Sequence, residues 1–100
     1  MIEVVSEFVA RATVRTRAYV YDDDGNLVNP TAVNVEIINP SGGTAVASTP
    51  MANAATGIYE HYYYTASTTT KGWYRAEVEV IDGSGDTTKK TYNTVSFKVK

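Results

Sequence analysis

Cysteine is absent from this chain of 100 residues, and histidine occurs once, at His61. Without cysteine no disulfide can staple so small a domain, which has to be held by packing alone. A single imidazole leaves any zinc site dependent on carboxylates converging on His61, and His61 is instead read as a strand histidine with its hydrogen bonds satisfied. The same scarcity argues against catalysis by a Ser-His-Asp constellation. No serine stands in a Gly-x-Ser-x-Gly elbow, and Gly83-Ser84-Gly85 lacks the flanking pattern. No apolar run approaches the roughly 20 residues that cross a bilayer, so membrane insertion is not expected. Met1 to Glu7 shows neither a basic n-region nor a continuous apolar h-region, so no signal peptide is read there. An excess of basic charge is missing too. Nine Lys and Arg stand against eleven Asp and Glu, and no basic cluster exceeds Lys89-Lys90, which speaks against nucleic acid as a partner.

What is present is alternation. After Gly72, the residues Tyr74, Ala76, Val78 and Val80 alternate with Arg75, Glu77 and Glu79, the period-two pattern of a strand with one buried and one wet face. Val14, Ala18 and Val20 alternate with Arg15, Arg17, Tyr19 and Tyr21; Val33, Val35 and Ile37 with Asn34, Glu36 and Ile38; Val95, Phe97 and Val99 with Ser96, Lys98 and Lys100. Residues 2–9 read as an edge strand, and 44–49 as a short, weak one. Ile58 to Tyr64 reads as a strand from its aromatic content, with Tyr59 and Tyr63 inward. Turn chemistry separates these runs at Asp22-Asp23-Asp24-Gly25-Asn26, Asn29-Pro30, Pro40-Ser41-Gly42-Gly43 and Asp82-Gly83-Ser84-Gly85-Asp86. Pro50 to Thr56 reads as a loop, and Ala66 to Lys71 as a connection. Seven strands with no helical periodicity predict an all-β, seven-stranded antiparallel β-sandwich in which residues 1–100 form one domain.

The run of motifs resembles the bacterial, archaeal and phage immunoglobulin-like domains, a group that includes the macroglobulin MG2-type modules. The residues that carry the resemblance are Asp22-Asp23-Asp24-Gly25-Asn26, Val33-Asn34-Val35-Glu36-Ile37, Pro40-Ser41-Gly42, Gly57-Ile58-Tyr59, Gly72-Trp73-Tyr74 and Phe97-Lys98-Val99, spanning about residues 13 to 100. Tyr74, two positions before Ala76, stands where such sandwiches place a tyrosine corner, with Ala76 where antibody domains carry cysteine. There is no tryptophan in the Val33–Ile37 strand and no cysteine pair, which sets antibody-type relatives aside. The resemblance implies an immunoglobulin-like fold and a non-enzymatic structural or interaction module, virion-associated or surface-displayed, of phage or prophage type. The alternative it leaves open is an extracellular adhesion or carbohydrate-binding domain of a larger surface protein.

No cofactor, metal or catalytic residue is expected. Glu77 and Glu79 point the same way from one strand, as solubilising residues do. The acidic loop at Asp22 is not an EF-hand, because Val20 and Thr31 stand where oxygen ligands would have to be. The candidate interaction surface is drawn from two groups. Tyr62, Tyr64 and Trp73 are expected to project outward as aromatic anchors for a protein, with carbohydrate as the alternative ligand. Thr44, Val46 and Ala47 lie in an edge strand without any charge, suited to close approach by a partner subunit or a second copy.

Overall fold

The chain forms eight strands in the structure, a computed structural model that describes residues 2–10, 13–66, 69–83 and 89–100. They are β1 (Ile2–Ala10), β2 (Thr13–Val20), β3 (Ala32–Ile38), β4 (Thr44–Pro50), β5 (Ala52–Ala55), β6 (Ile58–Tyr64), β7 (Gly72–Asp82) and β8 (Lys89–Val99). Every pairing is antiparallel. One sheet has the order β1-β2-β6-β5 and the other β4-β3-β7-β8, four strands each.

The core forms where the apolar parities of the two sheets face each other. On β2, Val14, Thr16, Ala18 and Val20 are buried, and on β3 Val33, Val35 and Ile37. Strand β7 contributes Tyr74, Ala76, Val78 and Val80, with Val78 set opposite Val35 on one side and Asn93 on the other. Tyr59 turns inward as expected, and Tyr63 packs on the core from the same face. At one end of the sandwich Tyr63, Tyr74 and Phe97 bring their rings together, with centroids 5.5 to 6.3 Å apart, and so tie β6 to β7 and β8. The Tyr74 hydroxyl donates to the carbonyl oxygen of Thr70 at 2.6 Å, within the upstream segment where a corner tyrosine finds its partner.

Expectation and structure part at residues 50–56. The strand count is eight, not seven, because Ala52–Ala55 is a strand that pairs with β6 through Ala52↔Glu60, Asn53↔Tyr59 and Ala55↔Ile58. All four of its residues are exposed, so no alternation marks them, and alanine and asparagine are poor strand formers. Backbone pairing makes the element, helped by Asn53 Nδ2, which donates to the carbonyl of Ala55 at 2.8 Å. Between β4 and β5 the chain changes sheet in one step, and Met51, buried at the crossing, donates its N–H to Val33 O at 2.9 Å.

The turns follow their side chains. Asp22 Oδ1 accepts from the amides of Asp24 and Asn26 at 2.9 and 3.0 Å, and Asn39 Oδ1 accepts from Ser41 and Gly43 at 3.0 and 2.9 Å. Gly57 is required by close approach as well as by its φ of 72°, since a Cβ there would lie 2.8 Å from Val28 N and 2.9 Å from Val20 O. Of the expected turn at 82–86, Ser84, Gly85 and Asp86 lie outside the described residues, as do Ser67 and Thr68 of the 66–71 connection.

Truncating Phe97 to Ala is expected to cost about 3–5 kcal/mol in denaturant unfolding, because it empties the centre of the ring cluster. Tyr74→Phe is expected to cost about 1 kcal/mol, the value of an ordinary hydrogen bond, since the exposed Thr70 carbonyl can turn to water. Equal, negligible losses in both variants would mean that this end of the sandwich is held some other way.

Candidate interaction surface

The outer face of the β1-β2-β6-β5 sheet is built by cross-strand register. Glu7 on β1 lies opposite Arg15 on β2, which lies opposite Tyr62 on β6; Arg17 lies between Val5 and Glu60 in the next row. Arg15 is ion-paired with Glu7, and Arg17 with Glu60, whose carboxylate also accepts from Arg17 Nε at 2.8 Å. Arg15 reaches the same Glu60 at 4.0 Å, and Arg17 Nη1 donates to the Tyr19 hydroxyl at 3.2 Å. The result is a charge ladder, Glu7–Arg15–Glu60–Arg17, capped by Tyr19. Arg15 Nε is buried with no hydrogen-bond partner. Around the ladder stand Tyr62, 41 % exposed, and Tyr64, 73 % exposed, with Val5 on the far side.

Trp73 projects from the outer face of the other sheet, 61 % exposed, with the Lys98 ammonium 5.9 Å from its ring centroid. It shares a shallow pocket with Ile38, Pro40, Arg75 and Ser96. Tyr62 and Tyr64 therefore share one surface, while Trp73 lies on the opposite side of the sandwich. Thr44, Val46 and Ala47 lie on β4, which is an edge strand of the Trp73 sheet. Thr44 pairs with Ile38 in the row next to Trp73. Val46 pairs with the buried Ile37 and packs against the core, so it belongs partly to the interior. Ala47 is exposed. The register of β4 against β3 shifts twice, between Val35 and Ile37 and again between Ile37 and Ile38. Such bulges guard an edge against added strands without any charge.

Sequence reasoning passed over Arg15, Arg17 and Glu60 as a unit, because only the register places strands 43 residues apart side by side. It also passed over Tyr92, which is 61 % exposed and donates to Glu79 Oε2 at 2.9 Å. That bond, with a second from Asn34 Nδ2, holds the Glu79 carboxyl below its ordinary pKa. Glu36, Glu77 and Glu79 do converge beside Ser48 on this face, but Arg75 pairs with Glu77 at 3.2 Å and Lys90 approaches Glu79 at 4.0 Å. Among the described residues no group of three potential metal ligands is placed to hold an ion, and no helix is long and apolar enough to cross a membrane.

His61 departs from expectation. It stands on the core side of β6, opposite the buried Thr16, and its Nδ1 is buried with no hydrogen-bond partner. Thr16 spends its hydroxyl on Ser6 at 2.8 Å. Register again decides this, since the partner of residue 61 is not visible along the chain.

No family model matches the chain, and no curated protein sequence matches it. Its function is therefore argued from its own geometry.

Burial holds the His61 pKa below its ordinary value. The unfolded chain thus takes up a proton near pH 6.5 that the folded protein refuses, so stability should fall as pH drops below about 6.5 towards the folded-state value. Thr16, opposite it, carries no titratable group, and burial pushes the Tyr59 hydroxyl further above that window. Denaturant midpoints from pH 7.5 to 5.5 are expected to decline in the native protein and to stay flat in His61→Gln. Parallel declines in both would assign the effect to carboxylates instead.

Proposed function

We propose that the protein is an immunoglobulin-like domain acting as a non-enzymatic structural or interaction module, virion-associated or displayed at a surface. Support for the fold family comes from the strand order, which puts the first, second, sixth and fifth strands in one sheet and the third, seventh and eighth in the other. The Tyr74 hydroxyl bond to the backbone four residues upstream adds to it. A fourth strand, β4, joins the second sheet in this chain.

The observation that carries the functional reading is the outer face around Arg15 and Arg17. Tyrosine and arginine are enriched among the few residues that carry most of the binding energy of protein interfaces, and a guanidinium already fixed by ion pairs has less rotamer freedom left to lose. Here Tyr62, Tyr64, Arg15 and Arg17 stand together on a rigid sheet, and the guanidiniums are already positioned by Glu7 and Glu60. A preorganised face binds with less ordering cost than a flexible one. The virion or surface setting rests on the resemblance of the Gly-x-Tyr motifs alone. The second reading, an adhesion or carbohydrate-binding domain, is favoured by Trp73, whose exposed ring beside Pro40 and Arg75 is a stacking platform for a sugar.

Antibodies to the protein are expected to label the outside of the particle or cell that carries it. Tyr62→Ser combined with Tyr64→Ser should strip that attachment, with stability changed by no more than about 0.5 kcal/mol per site, as at other exposed positions. Labelling confined to the cell interior, with attachment indifferent to both serines, would overturn the proposal. Glycan binding abolished by Trp73→Ala would establish the second reading in its place.

A further inference from the structure

The two sheets close at one end of the β1 and β8 edges and part at the other. Near the start of β1, Ile2 is buried and its carbonyl accepts from Asn93 Nδ2 at 3.0 Å, so the edges are joined there. Along the core-facing parity of β1 the cover then thins: Val4 and Ser6 are half-buried, and Phe8 is 47 % exposed. Phe8 is nevertheless a core-parity residue, paired with the fully buried Val14. Beneath it opens a cleft of about 470 Å³, with Phe97 and Val99 at its apolar side and Glu7, Lys98 and Lys100 at its rim.

One wall of this cleft is the free edge of β8. That strand pairs only with β7, from Gly72↔Val99 to Asp82↔Lys89, with no shift of register over its eleven pairs. Every second residue of such an edge turns its N–H and C=O away from the sheet. Near Asn93, β1 lies beside that edge; at Ser96 to Lys100 the cleft lies there instead. Unlike β4, this edge carries no bulge. Lys98 and Lys100 share the solvent-facing parity and make no ion pair with a described carboxylate.

We infer that this cleft receives one extended segment of a partner protein, added to β8 as a fifth strand. The edge requires an extended backbone. The cleft requires apolar side chains on the inward parity, to cover Phe8 and Phe97. Lys98, which lies over the Trp73 ring, and Lys100 have no partner among the described carboxylates and require acidic side chains on the outward parity, because opposite charges directly across a strand pair attract and like charges repel. The partner segment therefore alternates apolar and acidic residues. This inference rests on the β8 edge and not on the tyrosine–arginine face, which the cleft meets only at Glu7.

The probe is an end-blocked octapeptide of four Val-Glu repeats, titrated against the native protein. Trp73, the single tryptophan, lies beside Lys98 and reports by fluorescence, while amide NMR shifts locate the peptide. Saturable binding is expected, with shifts centred on Ser96 to Lys100 and weakening as salt is raised. Lys98→Glu with Lys100→Glu should weaken the peptide roughly tenfold and admit a Val-Lys repeat instead. Phe8→Ser should weaken both peptides. If the double variant fails to fold, the salt dependence of the native protein decides the role of charge. The proposal is overturned by the absence of saturation at millimolar peptide, by binding indifferent to salt or to charge reversal, or by shifts centred on β4. Shifts centred on Val14 and Thr16 would mean that the peptide replaces β1, and a concentration-dependent dimer broken by Glu3→Lys would mean that the occupant is a second copy; either overturns it.

Discussion

The rest of the molecule depends on the register of β7 between β3 and β8. With Val78 opposite Val35, Ala76 opposite Ile37 and Val95, and Tyr74 opposite Phe97, one face of three strands is largely apolar, broken on β8 by Asn93, which donates to Ile2 O. A slip of one residue would carry Glu77 and Glu79 inside and bring Val78 to solvent. The register also sets Glu36 directly opposite Glu77 on the wet side, an unfavourable pairing of like charges. Arg75 beside Glu77, and the hydrogen bonds that Tyr92 and Asn34 give Glu79, offset it where water already screens the charge. The core's demand thus overrides the surface's.

The outer faces show how polar side chains are used once that register is set. On the tyrosine-bearing sheet, two arginines and two glutamates interlock across three strands. Exposed ion pairs of this sort add little stability singly. Their effect is positional: Glu7 and Glu60 hold Arg15 and Arg17 in place beside Tyr62 and Tyr19. The interior carries one polar row, Ser6, Thr16 and His61, in which the two hydroxyls satisfy each other and the imidazole keeps one nitrogen unpaired.

The four edges are treated differently, and chemistry alone does not order them. β4, uncharged, is blunted by two bulges, and β5 by having only four residues. β1 carries Glu3 and Glu7, of which Glu7 is neutralised by Arg15. β8 is long and regular; it is bonded to β1 at Asn93 and faces it across the cleft at Ser96 to Lys100. Lysines at its end keep it soluble, yet the same lysines select the charge of whatever strand would pair with it.

Period-two alternation was legible wherever one face of a strand is buried and the other wet. For that reason β2, β3 and β7 could be placed from residue types alone, with Val35, Val78, Val80 and Phe97 in the core, whereas aromatics on both parities of β6 left the inward facing of Tyr59 and Tyr63 to analogy with Tyr74. The tyrosine corner was legible because its partner lies four residues away along the chain. β5 was not, since all its residues are exposed and its existence depends on Glu60 and Ile58 across a turn. The candidate surface was legible only in part: the exposure of Tyr62, Tyr64 and Trp73 followed from the facing read for their strands, and the placing of Tyr62 and Trp73 on opposite sheets from the immunoglobulin-like resemblance, but the bulges beside Val46 and the arginine ladder did not. The local sequence determined which way each side chain points, because adjacent residues of a strand must face oppositely. Tertiary structure decided which side chains meet, because partners such as Arg17 and Glu60 are brought together by register and sheet crossing, to which no nearby residue testifies.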